Sequence, residues 1–130
     1  MERHFVGVII EESLENKDVL KKIKILKTKI EKVTQKHNTP YLKQWTSHTV
    51  EILENQADEV AEELSNSIDS KHSNWYADYK NEKIHYFIFR NKIFKVDRYK
   101  KEQYDEFVKY GLSLGIPEHQ LDFSQDILKR

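Results

Sequence analysis

Cysteine is absent from this chain of 130 residues. That excludes a disulfide framework, a thiolate metal site and a cysteine nucleophile. Glycine and proline are scarce, at 3 and 2 residues. Gly7, Gly111 and Gly115 are too few and too scattered for a phosphate-binding loop or a dinucleotide fingerprint. No Gly-x-Ser-x-Gly elbow occurs, which excludes that hydrolase nucleophile. Net charge is missing as well, because 22 basic and 22 acidic residues cancel. No whole-molecule field therefore draws the chain to DNA or to an anionic membrane. No apolar run approaches the ~20 residues that span a bilayer. The start, Met1-Glu2-Arg3-His4, lacks the apolar stretch of a secretion signal. The expectation is a cytoplasmic protein with no membrane segment, no cofactor and no metal.

Aromatic residues are what the chain has in quantity: seven Tyr, six Phe and two Trp. They argue for a packed core rather than disorder. A chain of this length buries roughly two-thirds of its unfolded surface without staples. One α+β domain is expected over 1–121, with 122–130 a tail free to fray.

Residues 3–11 form a short β-branched run and read as a strand. Gly7 in its middle points to a bulge or a close backbone approach. Residues 13–36 are double-edged. Val19, Ile23, Leu26, Ile30 and Val33 fall on a heptad stripe, yet β-branching from Ile23 onward favours a strand. The reading taken is helix 13–22 followed by strand 23–35, with one helix over 17–36 as the alternative. His37-Asn38-Thr39-Pro40 reads as a turn and 42–53 as a strand. Ala57, Val60, Ala61, Leu64 and Ile68 make a helical stripe that Asn55 can cap. Residues 74–80 and 83–97 read as strands, with Asn91 as a hairpin pivot. A last helix over 99–114 buries Tyr104, Phe107, Val108, Gly111 and Leu112, and Gly115-Ile116-Pro117 ends it.

The order β-α-β-β-α-β is that of a split βαβ, or ferredoxin-like, core with an extra C-terminal hairpin and helix. Strand 84–89 is apolar on both faces: Ile84, Tyr86 and Ile88 on one, His85, Phe87 and Phe89 on the other. A half-solvated antiparallel strand would alternate more cleanly, so something must cover the second face. The C-terminal helix is the first candidate, a homodimer through Phe87 and Phe89 the next, and a ligand or peptide groove the last.

The six His show neither His-x-His nor His-x-x-x-His spacing, so a zinc site would have to assemble from dispersed residues. His48 and His85 both fall mid-strand and would meet if their strands are neighbours. A histidine titrates near neutrality and can act as a base; a structural role is the simpler reading. Asp78, near His85, is the best acid–base partner, although pairing with Arg90 or Lys80 is simpler. Trp45 and Trp75 sit among polar residues and read either as core or as an aromatic pocket wall. Charge is segregated. Residues 17–36 carry eight Lys against Asp18 and Glu31, while residues 51–69 carry seven acids and no base. Edge-strand protection, self-association and nucleic-acid contact follow in that order.

The stretches Gln44–Glu51, Trp75–Asn81, His85–Phe89, Lys92–Arg98 and Tyr110–Pro117 resemble a family of small uncharacterised proteins of bacteria and archaea. That resemblance brings no activity, cofactor or catalytic residue. It implies a stand-alone prokaryotic protein. The functional expectation is a non-catalytic binding or interaction domain that self-associates. The alternative is a small-molecule binder, or a small enzyme, using Trp45, His48, Trp75, Asp78, His85 and Arg90. The weaker alternative is nucleic-acid contact through 17–36.

Overall fold

The computed structural model describes residues 4–34, 41–71 and 75–128. The turn expected at 37–40 and His72 lie outside that set. The strands are β1 (Phe5–Ile10), β2 (Lys24–Lys32), β3 (Gln44–Ile52), β4 (Ala77–Lys80), β5 (Ile84–Phe89) and β6 (Lys92–Asp97). Helix α1 (Ala57–Ser67) joins β3 to β4, and α2 (Lys101–Ser113) follows β6. All strands belong to one sheet in the order β2-β3-β1-β4-β5-β6, and every pairing is antiparallel. The α+β class and the antiparallel sheet with helices packed on it match the expectation.

The sheet has two differently dressed faces because side chains alternate along each strand. One face presents Phe5, Ile9, Val50, Ile52, Tyr79, Tyr86 and Ile88, and α1 covers it with Val60, Ala61 and Leu64. Each fully buried Val or Leu there contributes about 1.5–3 kcal/mol. Polar staples fix the helix over the sheet. Tyr79 donates to the Ala57 carbonyl at 2.5 Å, and Ser65 donates to the Phe89 carbonyl at 2.8 Å. The Tyr86 hydroxyl donates to Asp58.

Helix α2 covers the other face, but only at the β5–β6 end. Phe87, Phe89 and Val96 pack there against Tyr104, Phe107, Ile116 and Leu121. Phe87 and Phe107 stack at 3.7 Å between ring centres. The strand that looked too apolar for a half-wet sheet is therefore covered on both sides by its own chain. Phe87 and Phe89, expected as interface residues, are 0% and 1% exposed and belong to the core.

The helix expected at 13–22 is replaced by two 3-10 turns, Glu11–Ser13 and Asp18–Lys21. Local polar bonds explain the difference. Ser13 Oγ returns to the Ile10 carbonyl at 2.6 Å, and the Asn16 side chain takes the Asp18 N–H at 2.9 Å. Such bonds compete with the helical ladder. Backbone groups of residues 13–15 instead bond to residues 67–69, with Glu15 N to Ser67 O at 2.7 Å and Asp69 N to Ser13 O at 2.8 Å. The single helix over 17–36 is likewise absent, since β2 occupies its second half.

Asn55 does not cap α1, which opens from a 3-10 turn with Gln56 at its N-cap and no side-chain cap bond. Leu112 is 48% exposed rather than buried. Asn91 turns the β5–β6 hairpin at φ 58°, and Gly115 ends α2 at φ 85°. The Gly115 N–H reaches the Leu112 carbonyl and the Ile116 N–H reaches Gly111, the bonds of a left-handed helix end. The tail expected to fray is docked as far as Leu128: Leu128 N donates to the Arg98 carbonyl at 2.6 Å, and Asp126 pairs with Lys80.

Candidate functional site

The end of the sheet that α2 does not reach leaves Val6 and Val8 exposed, Val8 at 39%. Beside them the chain builds a recess of about 230 Å³ lined by Val8, Ile10, Trp45, Trp75, Tyr76, Asp78 and Gln120. Strand pairing explains the gathering. Val8 lies opposite Asp78 across the β1–β4 ladder, and Ile10 lies opposite Ser47, two residues from Trp45. Trp45 and Trp75 have ring centres 5.3 Å apart with planes at 50°, so they form a corner rather than a slot. Tyr76 closes one side and bonds the Gln120 carbonyl. The Trp75 indole N–H is buried. Burial of the neighbouring Tyr41 hydroxyl pushes its pKa above the usual value, and the Trp75 side chain beside it opposes that rise.

Among the described residues Asp78 is the one charged residue lining this recess, and its side chain is 22% exposed. Behind it lies His85, 0% exposed. His85 Nε2 is 2.8 Å from Asp78 Oδ2, and Nδ1 is 3.0 Å from the Tyr104 hydroxyl. Nε2–H donates to the Asp78 carboxylate, and Nδ1 lies against the Tyr104 hydroxyl, which also faces the Asp126 carbonyl at 3.5 Å. Phe87 stacks on the imidazole at 4.1 Å and Phe123 meets it edge-on at 5.2 Å. Burial pushes the Tyr104 hydroxyl up to about 12, opposed by nearby Arg98. Burial and then the Asp78 charge drive the Tyr76 hydroxyl well above its ordinary value. The buried chain from Tyr104 through His85 thus holds one carboxylate in place at an aromatic recess.

The structure divides the residues expected at one site. Trp45, Trp75, Asp78 and His85 come together, with His85 behind the wall. His48 does not join them. Strands β3 and β5 are separated by β1 and β4, and His48 lies on the opposite face from Trp45. There it bonds Thr28 Oγ1 at 2.9 Å and Glu11 Oε1 at 3.0 Å, while Glu12 takes the Thr46 N–H at 2.6 Å. This cluster ties the first 3-10 turn to β3. Arg90 is also elsewhere. Its Nη1 bonds the Ile68 carbonyl at 2.8 Å and the Asn66 carbonyl at 3.1 Å, and reaches Glu15 at 3.3 Å. It satisfies carbonyls at the end of α1, where the helix leaves them without partners.

Tyr76, Val8, Ile10, Gln120 and Tyr104 were not anticipated as site residues. The alternation Val6, Val8, Ile10 marks one face of β1, but an exposed face has no sequence signature separate from a covered one. Gln120 reaches the recess from the 3-10 turn Glu118–Gln120, which Pro117 opens, but no local pattern ties that turn to β1 and β3. A larger hollow of about 460 Å³ lies between α2 and the C-terminal segment. Its lining mixes Lys101, Asp105, Glu118, His119 and Asp122, of which Lys101 and Asp105 pair at 3.0 Å. It reads as a solvated cleft between elements. Among the described residues no group of three His, Asp or Glu is placed to hold a metal ion. None of their helices is long and apolar enough to cross a membrane.

Comparison with protein-family models, with curated proteins and with solved structures returns no match to this chain. Function is therefore inferred from geometry and chemistry.

Proposed function

We propose that this protein is a non-catalytic small-molecule binder whose site is the Trp45–Trp75 recess. The observation that carries this reading is a concave aromatic wall with one positioned carboxylate at the uncovered end of the sheet. Ligand sites are mostly apolar with a few fixed polar groups. The buried imidazole orients Asp78 but faces no cavity with its own reactive nitrogen, which favours recognition over proton transfer to a substrate. Both tryptophans of the chain line the recess, so its intrinsic emission reports on this site. A fragment screen read by tryptophan emission and thermal shift tests the reading. Ligands that raise Tm should change the emission, and Trp45→Leu should weaken both responses. Ligands that raise Tm equally in the wild type and in Trp45→Leu place the site elsewhere.

Self-association is a second reading, with its surface moved to the β2 border of the sheet. That strand is nine residues long and leaves Ile25, Leu26 and Ile30 exposed. Long apolar edge strands pair readily, although Lys24, Lys27, Lys29 and Lys32 on the same strand oppose it. A one-protomer mass in sedimentation at high micromolar concentration removes this reading. The first four strands, in the order β2-β3-β1-β4, also support a ferredoxin-like core whose first crossover helix has shortened to 3-10 turns.

A further inference from the structure

Resting on the small-molecule reading above, we propose that the recess takes a small organic cation, an alkylated or quaternary ammonium group.

Three features converge. First, the wall is electron-rich: Trp45, Trp75 and Tyr76 present ring surface. A cation within ~6 Å of a ring centre gains about 0.5–2 kcal/mol, most for Trp. The 50° corner between the two indoles lets a rounded ammonium group touch both rings at once, whereas a flat ligand would need a slot.

Second, the charge is one-sided. Asp78 lines the recess, and among the described residues no Lys or Arg does. Two cations on this face have acidic partners of their own: Lys80 goes to Asp126, and Lys29, opposite Ser47, lies 3.7 Å from Glu31. His85 donates one hydrogen bond to Asp78 from behind the wall and does not line the recess. A carboxylate against an apolar wall favours a ligand that brings the opposite charge.

Third, size. About 230 Å³ is below the ~300–1,000 Å³ of sites for drug-sized ligands, and it suits a head group of a few heavy atoms. Val8 and Ile10 on the floor accept the methyl groups of an alkylated nitrogen.

The test compares choline with the uncharged alcohol in which carbon replaces the ammonium nitrogen. Shape and methyl groups are the same and only the charge differs. Binding to the intact protein is followed by tryptophan emission and calorimetry. Choline should bind about tenfold tighter than the alcohol, the ratio that about 1.4 kcal/mol gives. Asp78→Asn should cut the preference several-fold and leave the alcohol's affinity unchanged. Trp45→Leu, which leaves the Asp78–His85 pair intact, should cut the preference several-fold and guards against a fold defect in Asp78→Asn. Equal affinity for both compounds overturns the cation assignment while keeping the binding site. Binding of neither compound, beside fragment hits that respond to Trp45→Leu, also overturns the cation assignment. Binding of neither, with no such hits, overturns the site itself.

Discussion

Gly7 shows how one position carries a constraint that its neighbours do not. A Cβ there would overlap the Asp78 carbonyl oxygen and the Tyr79 Cα across the β1–β4 ladder. The overlap is with backbone, so no side chain can swing away. Gly7→Ala should destabilise the fold by about 1–3 kcal/mol, as overpacking does, seen as a lower urea midpoint at unchanged m. An unchanged midpoint would mean that the two strands are not as close as described. The sequence offered a bulge or a close approach here, and the structure selects the approach. His85 is the second informative residue. Its mid-strand position and its proximity to Asp78 were readable. Its complete burial was not, because that depends on Phe123 and Tyr104 arriving from the far end of the chain. His85→Ala leaves the Tyr104 hydroxyl with only the Asp126 carbonyl at 3.5 Å and Asp78 without its donor. The expected loss is about 2–4 kcal/mol from cavity and unpaired polar groups together, measured by chemical denaturation. A loss below ~0.5 kcal/mol would contradict the described pairing.

Among the elements, β5 decides the architecture. Its two apolar faces require two covers, and α1 and α2 supply them. The need for a cover was legible from residues 84–89. Its identity was not, because a helix, a subunit and a ligand all present apolar surface to a strand. Phe107→Ala opens a cavity over Phe87 and should lower stability by about 3–5 kcal/mol; a smaller loss measured by urea would mean a looser cover. The C-terminal segment is the other decisive element. It reads in the sequence as a tail free to fray, yet Phe123 packs on Phe87 and His85, and Asp126 pairs with Lys80 and Arg98. Those contacts reach back as far as Lys80, 46 positions along the chain, beyond the reach of local pattern reading. Ending the chain after Leu121 should lower Tm and expose His85 to hydrogen exchange. An unchanged Tm would return the segment to the status of a tail. The segment 13–22 misled for a related reason. Leu14, Val19 and Leu20 do face the core, but Ser13, Glu15 and Asn16 spend their polar groups on tertiary and turn bonds instead of a helix.

At the scale of the whole molecule, the zero net charge conceals a pH profile. Tyr76, Tyr79, Tyr86 and Tyr104 all have hydroxyls that burial pushes above the usual value of 10.0, Tyr104 to about 12. A group whose folded pKa is raised stabilises fully below its unfolded value, and the contribution disappears as pH rises through the folded value. Stability should therefore hold to about pH 10 and fall above it. Tyrosinate absorbance should show these hydroxyls ionising together with the loss of circular dichroism; ionisation of all seven Tyr well before unfolding would contradict their burial. The acid side has the opposite sign. The Tyr86 hydroxyl, with help from Lys95, holds the Asp58 carboxyl below the carboxylate range, and Ser70 does the same for Glu15. Their contribution is present above about pH 4 and is lost below it. The segregated charge also finds a partial account: Lys22 bonds Glu63 of the acidic helix at 2.6 Å, and Lys95 reaches Asp58 at 3.4 Å.

The aromatic recess is the centre of the functional account, and the chain's two tryptophans make it directly observable. The decisive measurement is a proton–nitrogen correlation spectrum of the intact protein titrated with choline. Saturable shifts of both indole N–H signals and of the Asp78 amide, with the α2 amides unmoved, are the predicted result. Shifts confined to other residues, or none at either indole up to saturating ligand, would contradict it.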